Sequence, residues 1–532
     1  MQAACFPVAM VTGEKDVTSP AMMMRFRAIQ IFGPILFGSF LLSLGAVLGA
    51  EPVTFNQHVG PLVHQHCASC HRPGEVGPFP LIEYQDVAKK ARTIASVVNR
   101  RYMPPWHPSE GLEAFAHNRR LSEKEIGQIN QWIEGGKPEG EGDLTAPSFP
   151  EGWSLGTPDL VVSMSEAFPI PAEGADLYRN FAIPLNLEKD LWVKAVELRP
   201  SARGVVHHSL FFLDGSGEAV KKDGADGTPG FRGMGFRRIG SLGGYVPGTT
   251  VQMLPGDLAM PLPKDADLVL ASHFHPSGKA EWEKSEVGLY LTETPPSRPL
   301  VSLQVPPGFG RSMGIDIPAG ERDYRVRDEF ELPVDVEAIS VGGHAHYLCQ
   351  EMKMTAQMPS GEERVLLLIE DWDLNWQDRY FFAESIRLPA GTVLTTELRY
   401  DNSEENPENP FFPPRRVRWG HESTDEMGSI TLQVTPVHAE EEQALVRSSR
   451  RAQLDLLSNA LRNPRETFAL GLTRKMGEID QNRDGIVQAE EIPSRYRARL
   501  LNQFDQDDSQ ALEEKERLVL LEAVRNGEKV FR

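Results

Sequence analysis

Cysteine is scarce in this chain, which has four: Cys5, Cys67, Cys70 and Cys349. Cys5 lies in a leader-like N-terminal stretch, Cys67 and Cys70 form a close pair with a use of their own, and Cys349 is left single. That excludes a disulfide framework, so the core must come from apolar burial. Positive charge is also short. Lys and Arg total 55 against 75 Asp and Glu, for a net charge of −20, which argues against nucleic acid and anionic membrane surfaces as partners. A long apolar run, "AIQIFGPILFGSFLLSLGAVLGA", follows Arg25 and Arg27 and ends near Ala50. Residues 1–50 therefore read as an export signal. The run is long enough to stay as a membrane anchor, although Gly33, Pro34 and Gly38 weaken that reading. The residues ahead of "MMMRF" do not suit a signal, which moves the working start to Met22, Met23 or Met24. The expectation is an exported protein of the periplasm or cell envelope, with a membrane partner only if this segment is retained.

What remains is ordinary globular composition, with 40% hydrophobic and 24% charged residues, spread over a length of 532 that implies several domains. The first chemistry-bearing motif is "HQHCASCHRPG", in which Cys67, Cys70 and His71 form C-x-x-C-H. This is the attachment sequence of c-type haem: two thiols bond the macrocycle and the adjacent histidine becomes the proximal iron ligand. The alternatives are a redox pair and half of a zinc site. An exported chain with no second C-x-x-C disfavours both. The surroundings suit a small all-α cytochrome c domain over residues 51–138. "VAKKARTIASVVNR" has helical spacing, Ser122 and Glu125 form a capping box, and Gly135 is a helix stop. Between the helices, "RRYMPPWHP" offers Met103 as the distal iron ligand, with His107, His64 and His66 as competitors. Methionine would raise the haem potential and a second histidine would lower it. Residues 139–155, rich in Pro and Gly, read as a linker.

From about Trp153 to Val437, short alternating runs such as "LWVKAVEL", "DLVLAS" and "TVLTTELRY" are separated by turn residues. This is the pattern of antiparallel β-sandwiches, and the length suits two of them. The histidines here are clustered: His207 and His208 in "GVVHHSLFF", His273 and His275 in "LASHFHPSGK", His344 and His346 in "SVGGHAHYLCQEM", and His421 in "WGHESTDEMG". On a strand, His344 and His346 share a face, yet taken alone such a pair is more often ordinary than functional. Neutral imidazole suits copper, zinc and iron. One objection stands against His207 and His208: adjacent residues of an ideal strand face opposite ways, so both can hold one metal only on a distorted strand.

Read in order, "HHSLFF", "LVLASHF", "GGHAH" and "STDEM" resemble the copper type II, ascorbate-dependent monooxygenases, the family of the peptidylglycine and dopamine hydroxylases. The resemblance implies two jelly-roll-like β-sandwich domains, here residues 156–296 and 297–437, each with one copper. It implies one copper at His207, His208 and His273 and a second at His344, His346 and Met427. A thioether is a soft ligand that favours Cu(I). His275 lies on the same strand face as His273 and could replace it. His421 reads as a loop residue near the second site, and Cys349 as a buried apolar thiol. Two departures matter. The animal enzymes are knitted by disulfides and this region has one cysteine. Where the peptidylglycine enzymes carry an arginine to grip substrate carboxylate, this chain has Gly342, which makes a peptidylglycine substrate doubtful.

A helical connector is expected over 438–465, followed by an α-helical EF-hand pair over 466–532. "DQNRDGIVQAEE" offers Asp480, Asn482, Asp484, the Ile486 carbonyl, Gln488 and Glu491 as oxygen ligands for calcium, with Gly485 at the turn. "DQDDSQALEEKE" offers Asp505, Asp507, Ser509, Glu513 and Glu516, but Gln510 stands where glycine eases the turn. The whole reads as a multidomain oxidoreductase with two coppers, haem c and calcium. Its expected reaction hydroxylates a C–H bond of a small organic substrate with O2, and the haem domain supplies electrons received from a small reductant or redox protein. The rival is a haem and copper protein that only carries or senses electrons. In the monooxygenase, His344, His346 and Met427 are the catalytic set.

Overall fold

Three helices open the described part of the chain, Gly60–His66, Tyr84–Asn99 and Glu123–Glu134. Apolar residues at helical spacing, Val87, Ala91, Ile94 and Val98 on one helix and Ile126, Ile129 and Trp132 on another, close around Phe55, Val59 and Val63. The capping box is present: the Ser122 hydroxyl accepts the Glu125 N–H, and the Glu125 carboxylate accepts the Ser122 N–H at 2.7 Å. Gly135 caps the C-terminus of that helix. The computed structural model describes residues 52–149, 152–233, 235–461 and 486–525. The apolar run before Ala50 lies outside them, and among the described residues no helix is long and apolar enough to cross a membrane.

The rest of the molecule is dominated by antiparallel sheet in two packed pairs of four-stranded layers. In the first pair, one layer orders Leu160–Ser163, Glu286–Thr292, Leu191–Arg199 and Met260–Leu262. The facing layer orders Leu177–Pro184, Asp267–Phe274, Val206–Asp214 and Arg238–Tyr245. Phe181, Leu198, Phe211, Leu268, Phe274 and Leu289 fill the space between them. In the second pair, one layer orders Val301–Val305, Gly428–Pro436, Val336–Ala345 and Tyr380–Leu388. The other orders Tyr324–Glu331, Val393–Tyr400, Cys349–Gln357 and Glu363–Ile369. Leu303, Val341, Met352, Leu367, Leu398 and Leu432 form its core. Alternating burial along these strands is the physical counterpart of the alternating sequence.

The regions are not beads on a string. The pairing of Val336–Ala345 slips register between Ala338 and Ser340, and Ile339, at the slip, joins the core of the first sandwich. A register irregularity of this kind re-aims one side chain without breaking the sheet. The loop between the second and third helices wraps onto the second sandwich. Ala116 N–H donates to the Phe381 carbonyl and Ala383 N–H to the Ala114 carbonyl, each at 2.8 Å. Phe115 stacks on Phe382 and Trp106 packs edge-on against Tyr380. Arg119 ties three regions together: it donates to the Gly248 carbonyl at 2.6 Å and pairs with Asp378 at 2.8 Å. The stretch read as a linker has no helix or strand where described, though the Asn56 amide holds the Gly142 carbonyl at 2.6 Å.

Helix Glu442–Leu461 follows the second sandwich and buries Leu445 in its core. The C-terminal part pairs Val487–Gln488 with Ala511–Leu512 between helices Ser494–Phe504 and Glu514–Arg525, around Ile492, Leu500, Phe504 and Leu520.

Candidate metal and haem centres

The objection to His207 and His208 is answered by the backbone. Strand Val206–Asp214 pairs with Asp267–Phe274 through a register shift between Val206 and His208. The extra residue is His207, and the bulge turns its ring toward the same side as its neighbour's. His273 sits directly across from His208. The three rings lie 4.6 to 5.3 Å apart between centroids, and a ligand nitrogen of each falls within 4.8 Å of the others. Outer hydrogen bonds select the inward nitrogen. His207 Nε2 donates to Asn375 Oδ1 at 2.7 Å and His273 Nε2 to Asp176 Oδ2 at 2.7 Å. Nδ1 of each is therefore left on the inner side, where that of His273 is buried with no partner. His207 Nδ1 and His208 Nδ1 stand 3.1 Å apart. Two nitrogens on one metal ion at its usual bond length are separated by about 3 Å.

Asp176 was not legible in the sequence as part of a site. Its carboxylate holds His273 and, at 2.8 Å, His275 Nδ1. Burial works to raise its pKa, but the hydrogen bonds and charges of the two histidines outweigh burial and hold it at about 2. His273 is 1% exposed and His275 67%, so His273 faces the cluster and His275 braces it from outside. Burial lowers His207 and, further, His208, with the neighbouring histidines adding to both. Neutral imidazole is the form a metal requires.

The second centre stands on a regular strand pair. His344 lies across from Ser429 and Ala345 across from Gly428, which sets Met427 opposite His346 one step further along. Both are buried. The Glu426 carboxylate locks the arrangement: its Oε1 accepts the N–H of His346 at 2.7 Å and of Met427 at 2.8 Å, and its Oε2 accepts the N–H of Leu348 at 3.0 Å. Burial pushes Glu426 up to about 8 against the pull of those N–H groups. His344 Nδ1 donates to Gln377 Oε1 and His346 Nδ1 to the Asp425 carbonyl at 3.1 Å. Each thereby keeps Nε2 for a metal, the reverse of the first centre. Burial lowers His344 to about 4 and His346, with help from His344, to about 3. Asn375 and Gln377, two residues apart, hold His207 of the first centre and His344 of the second, so one segment borders both. Exposed His421 packs on Trp419. Cys349 is buried, its thiol pushed up by burial.

At the C-x-x-C-H motif, His71 Nδ1 donates to the Phe79 carbonyl at 3.1 Å, which fixes the ring and leaves Nε2 for iron. Burial, then Cys70, push the Cys67 thiol up to about 12, whereas a redox C-x-x-C needs a depressed thiol. Gly77 crowds His71 so closely that a side chain there would meet the ring. Cys67, Cys70 and His71 are the donor set that a covalent haem would use. His64 is engaged by the Ile82 carbonyl and His66 by the Arg119 carbonyl. Met103 and His107 lie on the loop that packs against the second sandwich, where the His107 ring meets Trp372. A small cavity of about 10 Å³ at this junction is lined by His107 and Arg119 from the helical region, Pro247 from the first sandwich and Trp376 from the second.

In the C-terminal part, the carboxylates of Asp505, Asp507 and Glu516 converge within 4.8 Å. Gln510 adopts the left-handed turn conformation usually left to glycine, with φ +60, and its N–H donates to Asp505. Ser509 N–H donates to Asp505 and Asp507, while the Glu513 side chain is exposed. Of the other loop, Asp480, Asn482, Asp484 and Gly485 lie outside the described residues. Gln488 N–H donates to the Glu491 carboxylate at 3.0 Å, and Ile486 adjoins the short strand.

No protein-family model and no curated protein matches this chain. Among solved structures it is similar to the major capsid protein P2 of bacteriophage PM2, at 8% identity over 52% of this chain and 97% of that one, with a TM-score of 0.21. It is also similar to a Paenibacillus xanthan lyase, at 10% identity over 56% and 28%, TM-score 0.15. A third is PNGF-II, at 10% identity over 52% and 65%, TM-score 0.21. Likenesses at these scores carry no argument about function.

Proposed function

We propose that the protein is an exported copper-dependent monooxygenase that hydroxylates a C–H bond of a small organic substrate with O2, and that an N-terminal c-type cytochrome domain supplies its electrons. Copper and haem, when bound, supply the redox chemistry. The protein's own residues do the rest. His207 and His273 turn Nδ1 inward beside His208, their rings oriented by Asn375 and Asp176. His344 and His346 would keep Nε2 for a metal, and Glu426 ties the backbone of His346 to that of buried Met427, the soft third ligand of the proposal. The observation that carries the reading is the bulge at His207, because a strand has no packing reason to aim two adjacent imidazoles and a third across the ladder at one point. Two jelly-roll-like sandwiches, an EF-hand pair and calcium at Asp505, Asp507 and Glu516 belong to the same proposal.

The substrate is not expected to be a peptidylglycine. A side chain at Gly342 would stand 3.1 Å from the Asp378 carbonyl and 3.6 Å from Arg379 Cα, so the position of the carboxylate clamp is shut by backbone. The test is metal analysis with optical and electron paramagnetic resonance spectra, together with O2 uptake by the reduced protein over a panel of small substrates. One iron and two coppers per chain with substrate-dependent uptake is the expected result. Full metal content with no uptake under any reductant makes the protein an electron carrier instead.

A further inference from the structure

One short segment, Asp373–Asp378, touches everything the proposed reaction needs. Asn375 holds His207 of the first centre, and Gln377, two residues on, holds His344 of the second. Trp376, between them, faces the other way. A point one carbon out from Gly248, a glycine at φ +81, is 3.4 Å from Cys70 Sγ and 3.9 Å from Trp376 Cζ3, so the haem-attachment sulfur and the indole border the same residue. The indole N–H is buried with no hydrogen-bond partner among the described residues. The segment is stiff for its length. Asp373 caps the 3-10 turn Leu374–Trp376 by accepting the Asn375 N–H at 2.8 Å, the Gln377 amide donates to the Leu374 carbonyl at 2.9 Å, and Asp378 is pinned by Arg119.

We propose that Asp373–Asp378 is the electron bridge of this protein, with Trp376 as the contact to the attached haem and Asn375 and Gln377 as the arms that hold the two histidine centres in register with it. This inference rests on the haem and copper reading above and goes beyond it by naming the route. The step is a simple exchange. One electron leaves the ferrous haem, which becomes ferric, and reaches one cupric centre, which becomes cuprous; no bond is made or broken. The haem is recharged by an external one-electron donor. Trp376 is a positioning residue here, bordering the same glycine as Cys70.

The experiment uses the full chain carrying haem and copper, without O2. The haem is reduced with one equivalent of dithionite-derived electrons, and its ferrous absorbance is followed while the Cu(II) resonance disappears. Trp376→Leu should slow this exchange about tenfold or more, since small displacements of positioned groups cost rate steeply. Copper content, Cu(II) spectrum and haem midpoint potential should stay as in wild type. Trp376→Phe, which keeps a ring at this position and is the fallback if the leucine variant does not fold, should recover most of the rate. Gln377→Leu should perturb the spectrum of the second centre alone. Equal rates in wild type and Trp376→Leu overturn the bridge and leave the monooxygenase reading standing. A wild type that binds all three metals and passes no electron overturns both.

Discussion

At the first histidine centre the ligands reach one point through a backbone irregularity, and at the second through a regular ladder. The bulge brings His207 and His208 to one side; the outer hydrogen bonds are those of His207 to the Asn375 amide and of His273 to the Asp176 carboxylate. His344 and His346 need no bulge, present Nε2, and are held by an amide side chain and a backbone carbonyl. The first is an all-nitrogen set with an ionised Asp176 behind it. The second has Met427 beside it in the chain motif and no carboxylate on its imidazoles. A negative partner makes imidazole a better donor to the more oxidised metal, whereas sulfur and burial favour Cu(I). On the proposed reading, the contrast suits the first centre to receiving electrons and the second to meeting O2.

The sharpest way to break this contrast is Met427→Ala. If the thioether is what makes the second centre a Cu(I) site, Cu(I) affinity there falls by more than about 100-fold, and a titration with a Cu(I) chelator reads one tight copper instead of two. Unchanged Cu(I) retention removes Met427 from the site. Asp176→Ala is expected to weaken copper at the first centre alone, by about 10- to 100-fold, because it frees the His273 ring and releases His275. A loss at the second centre as well would mean that the two are one unit. Glu426→Ala strips three backbone N–H groups of their acceptor. Buried donors left unpaired cost about 1–3 kcal/mol each, so the urea midpoint drops sharply in the metal-free protein, and copper loss follows at the second centre only.

How much of this was legible in the sequence follows from its physics. Ligand type and order are written in "HHSLFF", "LASHF", "GGHAH" and "STDEM", and strand alternation gave the sheets their faces. The bulge was not legible, because register shifts arise from pairing partners distant in sequence; His207 and His208 looked like a weakness until Asp267–Phe274 was placed beside them. The outer residues were illegible for the same reason. Asp176, Asn375, Gln377 and Trp376 carry no local pattern, and each acts across tens to hundreds of residues. Glu426 was visible as a letter in "STDEM" and invisible as a clamp. The helical region was read as a domain by itself, whereas Trp106, Phe115 and Arg119 commit its loop to the sandwiches.

The smallest expected effect is on pH dependence, and it tests whether burial separates the centres. His344 and His346 titrate near 4 and 3 in the folded protein, against about 6.5 for an unperturbed histidine. As pH falls from about 6.5 to about 4, the unfolded chain takes up protons at these positions while the folded chain does not, so stability falls with pH across that window. His207 and His208 are lowered too and contribute with the same sign. From pH 7 to 8 all four are neutral in both states and contribute no slope. The urea midpoint of metal-free wild type should therefore decline between pH 6.5 and 4. His346→Leu, which has no proton to take up in either state, should flatten the decline even where it lowers stability overall. An unaltered slope in that variant would mean that His346 is hydrated and not in the dry pocket that a Cu(I) site at Met427 demands.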